Sequence, residues 1–238
     1  ASLRQVALGL GVAPEHVRVV ANGVDVEKFS PLPQHEARAM LKLPAEARVL
    51  VTVGALVERK GFHRVIELLP VLRRRHPALV YLVVGGTSPE GDISQRLRKQ
   101  VREFGLDDVV RFLGPLPPEQ LRVPLSAADV SVLATSNEGW ANVLLESFAC
   151  GRPVVATDVG GNAEVVSDDR LGIVVPFGDA TALETALDRA LTRQWDTGAI
   201  RAHAERNTWD QRVQTLVGLF RALPGDADAP SARPARSR

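Results

Sequence analysis

Cysteine is all but missing from this chain: Cys150 is the single one in 238 residues. That excludes an internal disulfide framework and suits a reducing compartment. Neither sign of charge is in excess, with 29 basic against 28 acidic side chains. The positive surplus of a nucleic-acid binder is therefore lacking, and no nucleic-acid partner is expected. No apolar run approaches the length that spans a bilayer, and no signal peptide precedes the first strand. These absences predict a cytoplasmic protein, with peripheral attachment at the inner face of the membrane left open. No internal repeat stands out beyond an alternation of strand and helix. The chain begins at Ala1, inside a segment already helical in periodicity (LRQVALGLGV), which reads as a piece of a longer protein.

What is present is an apolar share of 45%, enough to bury a sizeable core. A weak helix over residues 1–12 and a short strand Val17–Val20 lead to a turn at Asn22-Gly23. A short helix is predicted over Gln34–Leu41. Six apolar runs read as strands: Arg48–Val53, Leu79–Val84, Val109–Leu113, Asp129–Ala134, Pro153–Thr157 and Gly172–Val175. Between them fall helical patterns after Gly61, over Ile93–Phe104, Pro118–Ala127, Val143–Cys150 and Asn162–Val166. Two more follow, Ala180–Leu191 and Trp209–Leu223. Near-continuous apolar strands alternating with helices predict an α/β fold, a doubly wound, Rossmann-like six-stranded parallel sheet covered on both faces. Beyond Pro224 the tail, with its Asp226-x-Asp228 string, has no periodicity and reads as disordered.

In the commonest doubly wound order the first strand lies beside the fourth, and ligands bind where the direction of connection reverses. That brings the loop Gly54–Lys60 against the loop Thr135–Asn142. The first holds Gly54, where backbone can approach a ligand, and the cations Arg59 and Lys60. The second holds Glu138 and Gly139 and runs through Asn142 into a helix. The unpaired N–H groups and positive dipole end of a helix N-terminus form an anion site. Phosphate is the natural guest there, and nearby carboxylates suit sugar hydroxyls, which donate to them.

Each residue also has a plainer reading. Glu146, eight positions after Glu138, is favoured by the helix dipole alone, although its neighbours Leu144, Leu145 and Phe148 imply burial, and a buried unpaired carboxylate is costly. Glu138 by itself is a solvated loop acid, and Arg59 and Lys60 are surface charges. His63 is expected on a helix surface and Cys150 as a small buried filler. Trp140 fits either a packed or an exposed place.

Taken together, VANGVDVEKFSP, VTVGALVERKGFHRVIELLP, LVYLVVGG, the run from VRFLGPLPPEQ through SNEGWANVLLESFACGRPVVATDVGGNAEVV, and GIVVPFGDATALETAL resemble the C-terminal, donor-binding half of retaining glycosyltransferases of family 4. These enzymes have the two-domain GT-B fold. The resemblance covers roughly residues 15–222. It implies that residues 1–30 end an interdomain segment, 31–207 form the nucleotide-sugar-binding domain, 208–223 a crossover helix with apolar surface exposed, and 224–238 a tail. It implies transfer of a hexosyl group from a UDP-, GDP- or ADP-sugar, with no metal or other cofactor. The acceptor, a lipid, a glycan or a small molecule, would sit on an N-terminal domain of the same protein, and the fragment alone would be inactive.

Carried over by position, Glu138 and the backbone of Gly139, Trp140 and Ala141 would hold the donor sugar. Asn142 and Val143 would meet the distal phosphate, Glu146 the ribose hydroxyls, and Lys60 the diphosphate. Leu116 would lie by the base. One departure stands out: the family's arginine directly after the first loop's glycine is Ala55 here, and Arg59 is the candidate to replace it. A sugar-nucleotide epimerase of the same fold, or a degenerate domain kept for binding or assembly, are the competing readings.

Overall fold

Successive side chains of a strand point to opposite faces. Where nearly every residue is apolar, a strand therefore feeds two layers at once. In the computed structural model, which describes residues 2–223, six such segments pair: β1 (Arg48–Val53), β2 (Leu79–Val84), β3 (Val110–Gly114), β4 (Val130–Leu133), β5 (Val154–Thr157) and β6 (Gly172–Val175). Every neighbouring pair is parallel, in the order β3-β2-β1-β4-β5-β6. The doubly wound sheet expected from the apolar runs is formed, and the direction in which successive strands are added reverses between β1 and β4. The proposed tail and its Asp226-x-Asp228 string lie outside the described residues.

The helices are α1 (Ser2–Gly9), α2 (Gln34–Met40), α3 (Phe62–Arg75), α4 (Ser94–Glu103), α5 (Arg122–Ala127), α6 (Asn142–Ala149), α7 (Asn162–Val165), α8 (Ala180–Thr192), α9 (Thr197–Glu205) and α10 (Trp209–Arg221). Alternation along β1 divides the core. Val49 and Val51 join Leu144, Leu145 and Phe148 of α6 on one face. Leu50 joins Phe62, Ile66 and Leu69 of α3, with Leu187 of α8, on the other. Two buried hydroxyls between these layers are paired in a chain. The hydroxyl of Tyr81 donates to Thr52 (2.8 Å), which donates to the carbonyl of Val132 (3.0 Å). At the N-terminal edge of the sheet Arg38 grips both oxygens of Asp129, and the amide of Val49 donates to the same carboxylate at 2.7 Å.

Four local expectations are corrected. Val17–Val20 is not a strand; Val17 is extended, but its amide turns back to the carbonyl of Pro14 and makes no strand pairing. Pro118–Ala127 is not one helix but a 3₁₀ turn, Pro118–Gln120, followed by α5. A helix absent from the sequence reading, α9, forms because Asp196 caps it through the amide of Ala199, while only Ile200 and Ala204 are buried. His63 is buried rather than on the surface. Its Nε2 lies 3.3 Å from Glu58, and Gln100 of α4 donates to its carbonyl. Burial holds its pKa below the ordinary value. Cys150 is a buried filler, as expected.

The two ends of the described chain meet. Val24 bridges Thr208, and a Cβ on Gly23 would fall 2.5 Å from the amide nitrogen of Trp209. Beyond that contact α10 buries none of its side chains, and Trp209, Val213, Leu216, Val217 and Phe220 remain exposed. No helix among the described residues is long and apolar enough to cross a membrane.

Candidate donor-binding site

The parallel β1–β4 pairing carries the loops after both strands to one edge, and glycine lets them touch. Gly61 adopts a left-handed φ of 76°, and a Cβ there would sit 1.9 Å from the carbonyl oxygen of Ala134. Gly85, after β2, is pressed closer still, where a Cβ would sit 1.7 Å from the carbonyl oxygen of Gly54. Between Gly54 and Gly61 the chain makes a single 3₁₀ turn, Glu58–Lys60. It lays the stem of Lys60 about 3.5 Å from where a Gly54 side chain would begin.

From this turn Lys60 reaches across to the β4 loop. Its Nζ donates to Oε1 of Glu138 at 2.6 Å, with the two side chains only 14% and 9% exposed. Arg59 Nη1 approaches the same oxygen at 3.2 Å. The hydroxyl of Thr135 is also 3.2 Å from it, its one proton shared with the carbonyl of Asn137. The plainer reading of Glu138 as a solvated acid is thus set aside, as is that of Lys60 as a surface charge. Arg59 is otherwise held from a third loop, donating to both oxygens of Glu90 at 2.5 and 2.7 Å. That bond is the main cause of the depressed pKa of Glu90.

Glu138 is further fixed from behind. Asn162 donates to the carbonyl of Thr157, and Thr157 donates to that of Thr135. Gly160, at φ 57°, packs so tightly that a Cβ would lie 1.7 Å from the carbonyl oxygen of Glu138. The amide of Gly161 donates to the carbonyl of Gly139, and the half-buried ring of Trp140 lies against Gly161. Gly139 and Asn142 are exposed.

Helix α6 starts at Asn142 with no side chain capping it and no acid in its first turn. Asn142 itself receives a hydrogen bond from Asn22 at 2.8 Å. One turn on, Glu146 is half-buried. Among the described residues its carboxylate has neither hydrogen bond nor ion pair, and burial pushes its pKa up to about 7 against the pull of Lys28 and Lys60. A carboxyl group left in that state asks for donors. It also sets a pH dependence. The folded pKa lies above the unfolded one, so between about 4.5 and 7 the folded state binds the extra proton. Stability therefore falls as pH rises through that window. Glu146→Gln is expected to stabilise the empty protein by roughly 2 kcal/mol at pH 8 and to change little at pH 4, read from melting curves at the two pH values. Equal effects at both would remove burial as the cause.

A profile of the family described as Glycosyl transferases group 1 matches residues 33–210, through every loop just described. The chain belongs to the group 1 glycosyl transferases. A D-inositol 3-phosphate glycosyltransferase of Saccharomonospora viridis is 37% identical over 218 residues, 88% of this chain and 51% of the relative. Sucrose-phosphate synthase from Thermosynechococcus elongatus superposes with a TM-score of 0.77 at 30% identity, over 92% of this chain and 56% of that one. The Anabaena HepE protein, solved in complex with UDP and glucose, shares the fold at a TM-score of 0.80 and 24% identity, over 92% of this chain and 61% of its own. This group 1 glycosyl transferase chain thus spans about half the length of the curated relatives it matches.

Within that family frame, the structure brings Lys60, Arg59, Glu138, Gly139, Trp140, Ala141, Asn142, Val143 and Glu146 to the edge between β1 and β4, beside Gly54. Leu116 follows β3, two strands from β1, and that loop touches the loop after β2 through Pro115 and Gly86. The sequence reading missed Glu90 and Gly160. The paired glycines 160–161 were a usable signal for a close backbone approach; a lone acid in SPEG was not.

Proposed function

We propose that this group 1 glycosyl transferase chain is the nucleotide-diphosphate-sugar donor-binding domain of a retaining, metal-independent enzyme that transfers a hexosyl group. One observation carries the reading. Lys60, Arg59 and Glu138 converge beside the uncapped N-terminus of α6, with Glu146, unpaired among the described residues, one turn behind. A donor diphosphate spans that arrangement. Its distal phosphate meets the amides of Asn142 and Val143 and the Lys60 ammonium. These offset the charge that develops on the leaving group as the glycosidic bond breaks. The ribose hydroxyls donate to Glu146, and the sugar hydroxyls to Glu138. Arg59, held by Glu90, takes the place of the arginine that Ala55 lacks. Leu116 borders the base. Retention follows if the departing phosphate guides attack of the acceptor on the same face.

The acceptor, be it a lipid, a glycan or a small molecule, belongs to a separate N-terminal domain. The exposed apolar row of α10 is the surface we assign to it, and without it the chain is expected not to transfer sugar. A cytoplasmic location, at the inner face of the membrane where the acceptor is a lipid, fits this role. UDP is the first nucleotide to test, because HepE was solved with it.

In a melting panel against UDP, GDP, ADP and their sugars, one nucleotide series is expected to raise the melting temperature. At about 100-fold over Kd the gain is about 2.7 kcal/mol, or roughly 5–10 °C for a domain of this size. A flat panel would remove the donor-site reading. Binding should also release a proton near pH 6.5, because ribose hydroxyls favour the ionised form of Glu146. The release is measured by titration calorimetry with a nucleotide sugar in buffers of different ionisation heat. It should vanish in Glu146→Gln.

A further inference from the structure

The ion-paired charges at the β1–β4 edge cancel: Lys60 and Arg59 stand against Glu138 and Glu90. Glu138 spends a single oxygen, Oε1, on Lys60, Arg59 and Thr135 together. Its Oε2 has no partner among the described residues. The N–H groups that would grip a phosphate are therefore already turned toward a carboxylate, in a pair only 14% and 9% exposed. Solvent screens such a pair weakly. Nor can Glu138 retreat, because Gly160 and Gly161 pin the backbone at Glu138 and Gly139.

We propose that Glu138 is a placeholder that makes the site select against its own by-product. This rests on the donor-site reading above. A bare nucleoside diphosphate must draw Lys60 away from Glu138, or accept a second anion beside it. It offers no donor to the carboxylate it displaces. A nucleotide sugar makes the same demand, but its sugar hydroxyls donate to the displaced carboxylate. Glu138 thus lowers affinity for the nucleotide and restores it only when sugar is attached. Once the sugar has left, the carboxylate returns to Lys60 and the product is expelled. Ala55, beside Gly54 in the same loop, adds no cation to this balance.

The test is titration calorimetry of the full chain with UDP and UDP-glucose, GDP and GDP-mannose, and ADP and ADP-glucose. For the pair that binds, the wild type should take the nucleotide sugar more tightly than the nucleoside diphosphate. Glu138→Gln should bind the nucleoside diphosphate about tenfold tighter, as expected when one like charge beside a phosphate is neutralised. Its preference for the sugar form should shrink. Affinity in the variant should fall more steeply with salt, since the cluster then carries a net positive charge. Glu138→Ala should show the same sign.

A Glu138 that only braces its loop predicts the reverse, weaker nucleotide binding in both variants, and that result would overturn the placeholder. So would a wild type that binds nucleoside diphosphate as tightly as its sugar form, a measurement that needs no variant. If no nucleotide of any kind binds the wild type, the donor-site reading itself fails and takes this inference with it.

Discussion

In Lys60→Ala, nucleoside diphosphate at about 100-fold over the wild-type Kd is expected to lose roughly half to nine-tenths of its stabilising effect. The ammonium is the least exposed cation at the site, 14% against 31% for Arg59, and charge-assisted hydrogen bonds of this kind contribute about 1.5–3 kcal/mol. Its loss should weaken binding by about 10- to 150-fold. The empty protein should suffer less, by about 1 kcal/mol, because Arg59 and Thr135 remain on the Glu138 carboxylate. The two effects separate cleanly: a small drop in the melting point without ligand and a large drop in the ligand-induced rise. If the rise survives in Lys60→Ala and disappears in Arg59→Ala, the phosphate role belongs to Arg59 alone.

Gly160→Ala should be strongly damaging for a single added methyl. A Cβ at this position would fall 1.7 Å from the carbonyl oxygen of Glu138, on a backbone held at φ 57°. Left-handed φ costs a non-glycine residue about 1–2 kcal/mol, and overpacking costs about 1–3 kcal/mol more. Relief comes only by moving one loop away from the other. Because the β4 loop carries Glu138, Gly139 and Trp140, such a shift takes with it the residues we propose to face the sugar. Melting curves should show a loss of about 2–5 kcal/mol in stability, and the advantage of a nucleotide sugar over its nucleoside diphosphate should vanish. Gly139→Ala makes the control. Its Cβ would meet nothing within 4 Å, so stability should hold. A Gly160→Ala protein as stable as the wild type would mean that the loop after β5 yields and does not position the site.

Much of this was legible before any coordinates. The runs RVLVTV, LVYLVV and VSVL could be read as buried strands because few polar residues interrupt them, and a sheet covered on both faces follows from that pattern. The order of β1 beside β4 followed from a topological prior, and it placed the right two loops together. Val17–Val20 failed because a strand is a property of a pair, and sequence shows only one member. The short helix α9 was missed because its cap, Asp196, precedes just two buried residues, Ile200 and Ala204. His63 was misplaced because its burial depends on α4 crossing over it, which no local periodicity reports.

The site divides the same way. Composition and spacing by themselves determined that two acids, two cations and a helix start would share one edge of a parallel sheet. They also led to a phosphate with hydroxyls beside it as the expected ligand. They could not tell which charge pairs with which. That Lys60 engages Glu138 and Arg59 engages Glu90, leaving Glu146 half-buried without a partner among the described residues, was decided only in three dimensions. The physical reason is reach. Ion pairing depends on distances of a few ångströms between side chains 31 and 78 residues apart in sequence. Those distances are set by how closely Gly61, Gly85 and Gly160 let neighbouring loops approach.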